Sequence, residues 1–253
     1  MAKIVMITGA TAGIGAACAE LFGAQQYDLI LAARRQDRLQ AMAASLQRQY
    51  GIRVRSLLLD VRDKLAVSSA LDGLPEEWKK VDILINNAGL CLGLDPIQQG
   101  CTDDWDTMID TNVKGLLYVS RIVSRWMIDQ KIPGHIVNLG SVAAKEVYPN
   151  GNIYCATKHA VDAISKAMRI DMLSHRIKVT AIHPGPVQTE FAEIRFKGDK
   201  ERAKKVYLGY QPLCAKDIAE TIWFAVTRPA HVNIDDLLIM PAAQATATII
   251  DRN

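Results

Sequence analysis

A short apolar run passes without a break into Thr8-Gly9-Ala10-Thr11-Ala12-Gly13-Ile14-Gly15, and a helical pattern follows at once. Few folds set glycines between a buried strand and a helix in this way. Glycine lets the backbone turn sharply and approach a bound group closely. The helix start then presents free N–H groups and the positive end of its dipole, which suit an anion such as a pyrophosphate. The spacing is G-x-x-x-G-x-G, not the commoner G-x-G-x-x-G, so a glycine-rich turn without a ligand is the alternative.

The rest of the chain repeats the strand–helix order. Apolar runs at 3–7, 28–32, 53–59, 82–85, 134–139, 178–182 and 237–240 are rich in Val, Ile and Leu with little polar alternation. That pattern predicts strands covered on both faces, as in a parallel sheet. Helical patterns fill 14–25, 38–49, 105–129, 153–174 and 216–227. In the fourth, Ala156, Ala160, Ala163, Ala167 and Ile170 share one face, which permits close helix packing. The expected fold is α/β: one Rossmann-type, doubly wound parallel sheet of about seven strands with helices on both faces. No Pro/Gly/Ser linker or repeat divides residues 1–253, so a single domain is expected.

Composition excludes several classes. A net charge of +3 is too small to argue for nucleic acid, and no run of like charges reaches five residues. The five cysteines form no C-x-x-C pair, which fits a reducing compartment better than a disulfide framework. No Cys/His cluster has ligand spacing, so no metal is expected. Lys3 and the small triplet Ala17-Cys18-Ala19 faintly imitate an export signal, but glycines and threonines break its apolar stretch. Nothing approaches the roughly 20 apolar residues of a membrane span. The expectation is a cytoplasmic protein with no membrane or nucleic-acid partner.

The second strand ends in Ala32-Ala33-Arg34-Arg35. A carboxylate here would bind a ribose 2′-hydroxyl, whereas arginine favours a 2′-phosphate. Asp28 and Asp37 miss that position, so NADP(H) is expected over NAD(H), with NAD(H) possible. Two solvated arginines at a helix start are the alternative.

Tyr154-Cys155-Ala156-Thr157-Lys158 puts a phenol and an ammonium on one helix face. A free tyrosine titrates near about 10. A nearby lysine cation is expected to lower that value and make proton exchange with an alcohol feasible. Asn138-Leu139-Gly140-Ser141 and Asn86-Asn87-Ala88-Gly89 end two other strands. In open α/β sheets ligands bind at those carboxyl ends, so these groups converge on the edge holding the glycine loop. His183 reads as a hydrogen-bonded wall residue and Cys155 as a small hydrophobe.

With these residues in order from Thr8 to Thr189, the chain resembles the short-chain dehydrogenases/reductases. The resemblance implies a cofactor loop of Gly9, Thr11, Gly13, Ile14 and Gly15, with Arg34 and Arg35 at the adenosine phosphate. It implies Asp60 and Val61 beside the adenine, and Asn87, Ala88 and Gly89 near the adenosine ribose. Pro184, Gly185, Val187 and Thr189 would flank the nicotinamide. The catalytic set implied is Asn112, Ser141, Tyr154 and Lys158. Ser141 would bond the substrate oxygen, and Tyr154 would carry the proton. Lys158 would hold the nicotinamide ribose, and Asn112 would position a water linking Lys158 to solvent. A homotetramer paired through the helices of Asn112 and Tyr154 is also implied.

Residues 190–199, Pro229–Ile234 and Ile239-Met240-Pro241 resemble one subgroup, the NADP-dependent 3-hydroxy acid dehydrogenases of serine, allo-threonine and related acids. Lys145 and its neighbours before the catalytic helix depart from that subgroup. A lid is expected around 189–212. A 3-hydroxy acid needs a cation for its carboxylate, and Arg195 can supply two hydrogen bonds. The alternative for Arg195 is a solvated place on a basic lid helix with Lys197, Lys200, Arg202, Lys204 and Lys205. Two other functions stay open: a carbonyl reductase for another small polar aldehyde, such as a sulfonated one, or a sugar; and a non-enzymatic NADP-binding sensor.

Overall fold

The computed structural model describes residues 2–252. In chain order the elements are β1 (Ile4–Thr8), α1 (Gly13–Ala24), β2 (Asp28–Ala33), α2 (Gln36–Tyr50), β3 (Val54–Leu58), α3 (Lys64–Asp72), β4 (Val81–Asn86), α4 (Thr102–Ile109) and α5 (Leu116–Asp129). Then come β5 (His135–Leu139), α6 (Asn152–Met172), β6 (Lys178–Pro184), β7 (Val187–Gln188), α7 (Phe191–Arg195), α8 (Lys200–Lys205), β8 (Leu213–Cys214), α9 (Ala215–Val226) and β9 (Asp236–Ile239). Seven strands form one all-parallel sheet in the order β3-β2-β1-β4-β5-β6-β9. The order reverses direction between β1 and β4, the place where such sheets open a crevice.

The two-residue period of the strands splits the core into two layers. Val5, Ile7, Leu29, Leu31 and Ile85 face Phe22 of α1, Leu39 of α2 and Ile222 of α9. Ile4, Met6, Ile30 and Leu84 face Leu71 of α3 and Val123 and Met127 of α5. Both faces are therefore covered, as the apolar runs demanded. The exceptions are the edges: β3 and β9 leave alternate side chains half-buried or exposed, because each has a neighbour on one side alone.

Three local differences from the sequence reading matter for function. The expected helix 105–129 is interrupted by one widened π turn, Asp110–Gly115, which carries Asn112. Such turns add a residue to the helix and redirect a side chain. The small-residue face of α6 does not pack in this chain: Ala156, Ala163, Ala167 and Ile170 point outward, while Tyr154, Lys158, Val161 and Ser165 face the core. Finally, β7 pairs with β8 in a small parallel sheet that joins the two ends of the 189–212 segment.

A polar pair locks the sheet at β5. His135 is buried, and its Nε2 lies 2.7 Å from Thr180 Oγ1, which donates to Ile234 O at 2.6 Å. The hydroxyl spends its one proton on Ile234, so the ring must donate from Nε2 and be neutral at Nδ1. Burial, helped by the Lys178 charge, pushes its pKa down to about 3. Unfolded His135 would titrate near 6.5, so its neutrality costs stability as pH falls from about 6.5 toward 3 and nothing above that window. Urea unfolding of the wild type is expected to lose about 1 kcal/mol more per pH unit between pH 6 and 4 than His135→Gln. Equal slopes would show that His135 does not set the acid sensitivity.

Candidate active site

The carboxyl ends of the strands enclose a cavity of about 690 Å³, within the range of small-ligand sites. At one end lies the glycine loop. Gly9 and Gly13 take φ of +66° and +51°, in the left-handed region that a side chain disfavours. A Cβ on Gly13 would also press on Thr189 Cγ2 at 3.1 Å. Ala12 precedes α1 without a side-chain cap, so the first N–H groups of this 12-residue helix remain available to an anion. Gly15 differs from its loop companions: it does not line the cavity. Any side chain there would collide with Gly9 O and Asn87 Nδ2, so it serves close packing behind the loop.

Asn87 ties this loop to β4. Its Nδ2 donates to Thr8 O at 2.9 Å and Gly9 O at 3.1 Å, while Thr8 Oγ1 accepts from the Asn87 and Ala88 backbone at 3.1 and 3.0 Å. Behind it, Asn86 donates to Ser120 Oγ and Asn138 Oδ1, and Asn138 donates to Ser165 Oγ on α6. These buried bonds set α6 relative to the strand ends. Asp60, Val61, Ala88, Gly89, Pro184, Gly185, Val187 and Thr189 line the cavity together with Arg34 and Arg35. Asp60 is also paired with Arg62 at 2.6 Å.

Tyr154, Lys158 and Ser141 meet at the other end. Lys158 Nζ lies 5.8 Å from the Tyr154 ring centre and donates to Leu139 O at 2.8 Å. Ser141 Oγ accepts from Ala143 N at 3.1 Å, which orients the hydroxyl. The expected lowering of the tyrosine by the lysine is not what the free protein shows. Burial pushes Tyr154 above its ordinary value, aided by Cys91, while Arg195 and a hydrogen bond with Ser141 pull the other way. Burial also brings Lys158 down to about 8. Two charges forming in one dry pocket are both penalised when the ammonium bonds a carbonyl rather than the phenol.

Asn112 lies beneath this cluster and does not line the cavity. Its Oδ1 accepts from Leu90 N and its Nδ2 donates to Leu90 O, both at 2.8 Å, and to Thr157 Oγ1 at 3.1 Å. The π turn is what swings it inward.

Arg195 at the end of α7 turns into the cavity. Its guanidinium stands 5.6 Å over the Tyr154 ring and 5.2 Å over Phe191, and Nη2 donates to Tyr148 Oη at 3.4 Å. Its Nε is buried without a partner. Lys197, by contrast, pairs outward with Asp104.

Several lining residues carried no sequence signal: Tyr207, Tyr210, Gln244, Ala247, Ile250 and Arg252 arrive from the 189–212 segment and the C-terminal loop. His183 is fully buried, with Nδ1 3.3 Å from Ser141 O and Nε2 3.2 Å from Asp236 Oδ2. Asp162, His183 and Asp236 form, among the described residues, a cluster of metal-ligating type. Lys145 Nζ already bridges its carboxylates, 2.9 Å from Asp162 and 2.5 Å from Asp236, so an ammonium fills the cation position. Cys155 is buried beside Tyr154, as a small hydrophobe would be.

Comparison with known proteins agrees with this geometry. The sequence model for the short chain dehydrogenase family matches residues 3–200. The NADP-dependent 3-hydroxy acid dehydrogenase YdfG of Escherichia coli (strain K12) is 44% identical over 245 residues, covering 96% of this chain and 97% of that protein. Sulfoacetaldehyde reductase 2 of Chromohalobacter salexigens is 42% identical over 254 residues, with full coverage of both. Among solved structures, the closed form of serine dehydrogenase complexed with NADP+ superposes with a TM-score of 0.91 at 43% identity, covering 99% of each chain. From its glycine loop to Thr189, and over the length of these relatives, the chain belongs to the short-chain dehydrogenase family.

Proposed function

We propose that this chain is an NADP-dependent oxidoreductase that interconverts a small 3-hydroxy acid, such as serine or allo-threonine, with its 3-oxo acid or semialdehyde. The observation that carries the reading is Arg195: a buried, half-satisfied guanidinium stacked over the proton-carrying ring supplies a cation where such an acid needs one. NADP dependence is supported by relatives of that name and by Arg34 and Arg35 at the cavity wall.

The residues present fit that cofactor. The glycine loop and the uncapped α1 start would hold the pyrophosphate, Asp60 and Val61 would flank the adenine, and Thr189 closes over Gly13. When bound, the cofactor supplies the hydride acceptor or donor. Ser141 holds the substrate oxygen. Tyr154 takes or returns its proton, and Lys158 supports the phenolate when it forms. Asn112 fixes the Leu90 backbone and, as the family implies, a water path from Lys158 to solvent. Arg195 grips the acid group and shields the reacting carbon from water. The 189–212 segment acts as a lid, cinched at its base by β7 and β8 and by Tyr207 Oη donating to Val187 O at 3.0 Å.

A second reading, reduction of a sulfonated aldehyde, is favoured by the full-length similarity to a sulfoacetaldehyde reductase, since a guanidinium holds a sulfonate as readily as a carboxylate. Initial rates with NADP and NAD, over serine, allo-threonine, 3-hydroxyisobutyrate and 3-hydroxypropionate, decide between them when run beside sulfoacetaldehyde with NADPH. NADP-linked oxidation of the acids is expected to dominate. Turnover of the sulfonate alone would overturn the hydroxy-acid assignment.

A homotetramer in the cytoplasm is part of the same proposal. Ile109 and Leu117 flank the π turn of Asn112, while Ile170 and Leu173 extend the small-residue face of the Tyr154 helix, and all are exposed in the single chain. Five unpaired cysteines suit a reducing compartment. Among the described residues no helix is long and apolar enough to cross a membrane.

A further inference from the structure

Glu190 closes the adenosine end of the cavity, and it belongs to the lid. Its carboxylate is bound by two cations: Arg35 Nη1 at 2.8 Å and Arg38 Nη1 at 2.6 Å. Arg35 also reaches toward Thr11 O and Oγ1, at 3.4 Å, so the pair stands directly beside the phosphate loop. These two guanidiniums hold Glu190 below the usual carboxylate range despite an opposing effect of burial. Of the other cations at this end, Arg62 is already taken by Asp60, while Arg34 lines the cavity beside Arg35 with no ion pair among the described residues, so Arg35 is the cavity-wall cation that the carboxylate holds.

The position of Glu190 in the chain gives the pairing its consequence. It immediately precedes α7, whose first residue, Phe191, packs against the Tyr154 ring with centres 5.8 Å apart. One turn later comes Arg195, over the same ring. A single short helix thus spans the distance from the arginines at the adenosine end to the proton donor at the other. Whatever competes for Arg35 and Arg38 acts on the front of the lid.

We propose that Glu190 is a cofactor-specificity residue: its carboxylate, anchored on Arg38, also occupies Arg35 at the cavity wall, and the ribose 2′-phosphate displaces it from Arg35, releasing the front of the lid for substrate. The proposal rests on the NADP reading above. A doubly charged phosphate and a carboxylate drawn to the same Arg35 guanidinium repel one another. NAD lacks the competing group, so it leaves the carboxylate in place and the lid fastened. Discrimination between the two cofactors then arises in substrate entry as well as in cofactor affinity.

The test is calorimetric titration of the full chain with NADP, NAD and adenosine 2′,5′-bisphosphate, in the wild type, Glu190→Gln and Glu190→Asp. Glu190→Gln removes two exposed ion pairs, so NADP and the bisphosphate are expected to bind about threefold to tenfold more tightly, with NAD within about twofold of wild type. Glu190→Asp, which keeps the charge, is expected to stay near wild type for all three. Steady-state rates add an independent readout: in Glu190→Gln the KM for the hydroxy acid with NAD falls toward its value with NADP. Weaker NADP binding in Glu190→Gln would mean that the carboxylate orients the arginines rather than competing for them, and would overturn the proposal. Equal tightening of NAD would overturn it too, since no 2′-phosphate would then be involved. A wild type that binds NAD as well as NADP would instead remove the assignment of the 2′-phosphate to these arginines, and the competition with it.

Discussion

Tyr154→Phe is expected to lower kcat by about a thousandfold while changing the Kd for NADP little, since a positioned acid/base contributes roughly 10²–10⁴-fold. The substitution removes one oxygen and keeps the ring, so the contacts of that ring with Phe191 and Arg195 survive. Fluorescence titration of NADPH and initial rates on the same preparation separate binding from chemistry. The pH dependence of the wild type has a definite sign. Burial holds the phenol protonated above its ordinary range. Oxidation needs the phenolate and should therefore speed up as pH rises, whereas reduction needs the phenol and should stay level until the pH approaches that raised range. The rise is expected to flatten above about pH 8, where Lys158 becomes neutral in the free protein and stops supporting the phenolate. A variant retaining activity within about tenfold of wild type would show that another group moves the proton.

The fold was legible because strand and helix periods are local. Seven apolar runs yielded seven parallel strands, and their two-residue period alone assigns Val5 and Ile7 to one core layer and Ile4 and Met6 to the other. The glycine loop was legible for the same reason: glycines at a strand-to-helix junction constrain the backbone within eight residues. What escaped the sequence was set by tertiary contact. Helical periodicity gave no hint of the π turn at Asp110–Gly115, because one added residue barely alters the apolar pattern yet redirects Asn112 toward Leu90 and Thr157. Gly15 counted as a loop residue in the motif, but it packs against the backbone of Gly9 and against Asn87 from the end of β4, a contact no local pattern reveals. The Tyr154/Lys158 spacing predicted a shared face, which holds. It could not predict that Lys158 would spend its hydrogen bond on Leu139, leaving burial to dominate both groups. Lys145 lies in a turn before α6, and Asp162, His183 and Asp236 lie on α6, β6 and β9, so no spacing rule joins them. Glu190 and Arg252 likewise reach the cavity only through the way their segments fold back.

Arg195→Ala is expected to raise the KM for a 3-hydroxy acid by about 10- to 100-fold with a smaller change in kcat. A hydrogen bond to a charged group is worth about 1.5–3 kcal/mol, and each 1.4 kcal/mol is a factor of ten. The sequence left Arg195 balanced between a clamp and one more solvated cation of a basic segment. The structure separates it from that group, because Lys197 and Lys204 pair with surface carboxylates while Arg195 turns inward against two aromatic rings. Its unpartnered Nε is a buried donor, costly to leave unused, and a carboxylate would satisfy it. Stacking on Tyr154 and Phe191 fixes the guanidinium plane in advance, so little side-chain freedom is lost on binding. Truncation also opens space beside Tyr154, which could misplace the ring. Two comparisons isolate the charge from that effect. Arg195→Lys keeps a cation without the fork and should fall between wild type and Ala. A matched alcohol without the acid group should show an unchanged KM in all three proteins. An acid KM unmoved by Arg195→Ala would remove the clamp. A KM raised equally for the neutral alcohol would assign Arg195 to shaping the pocket rather than to recognising an anion.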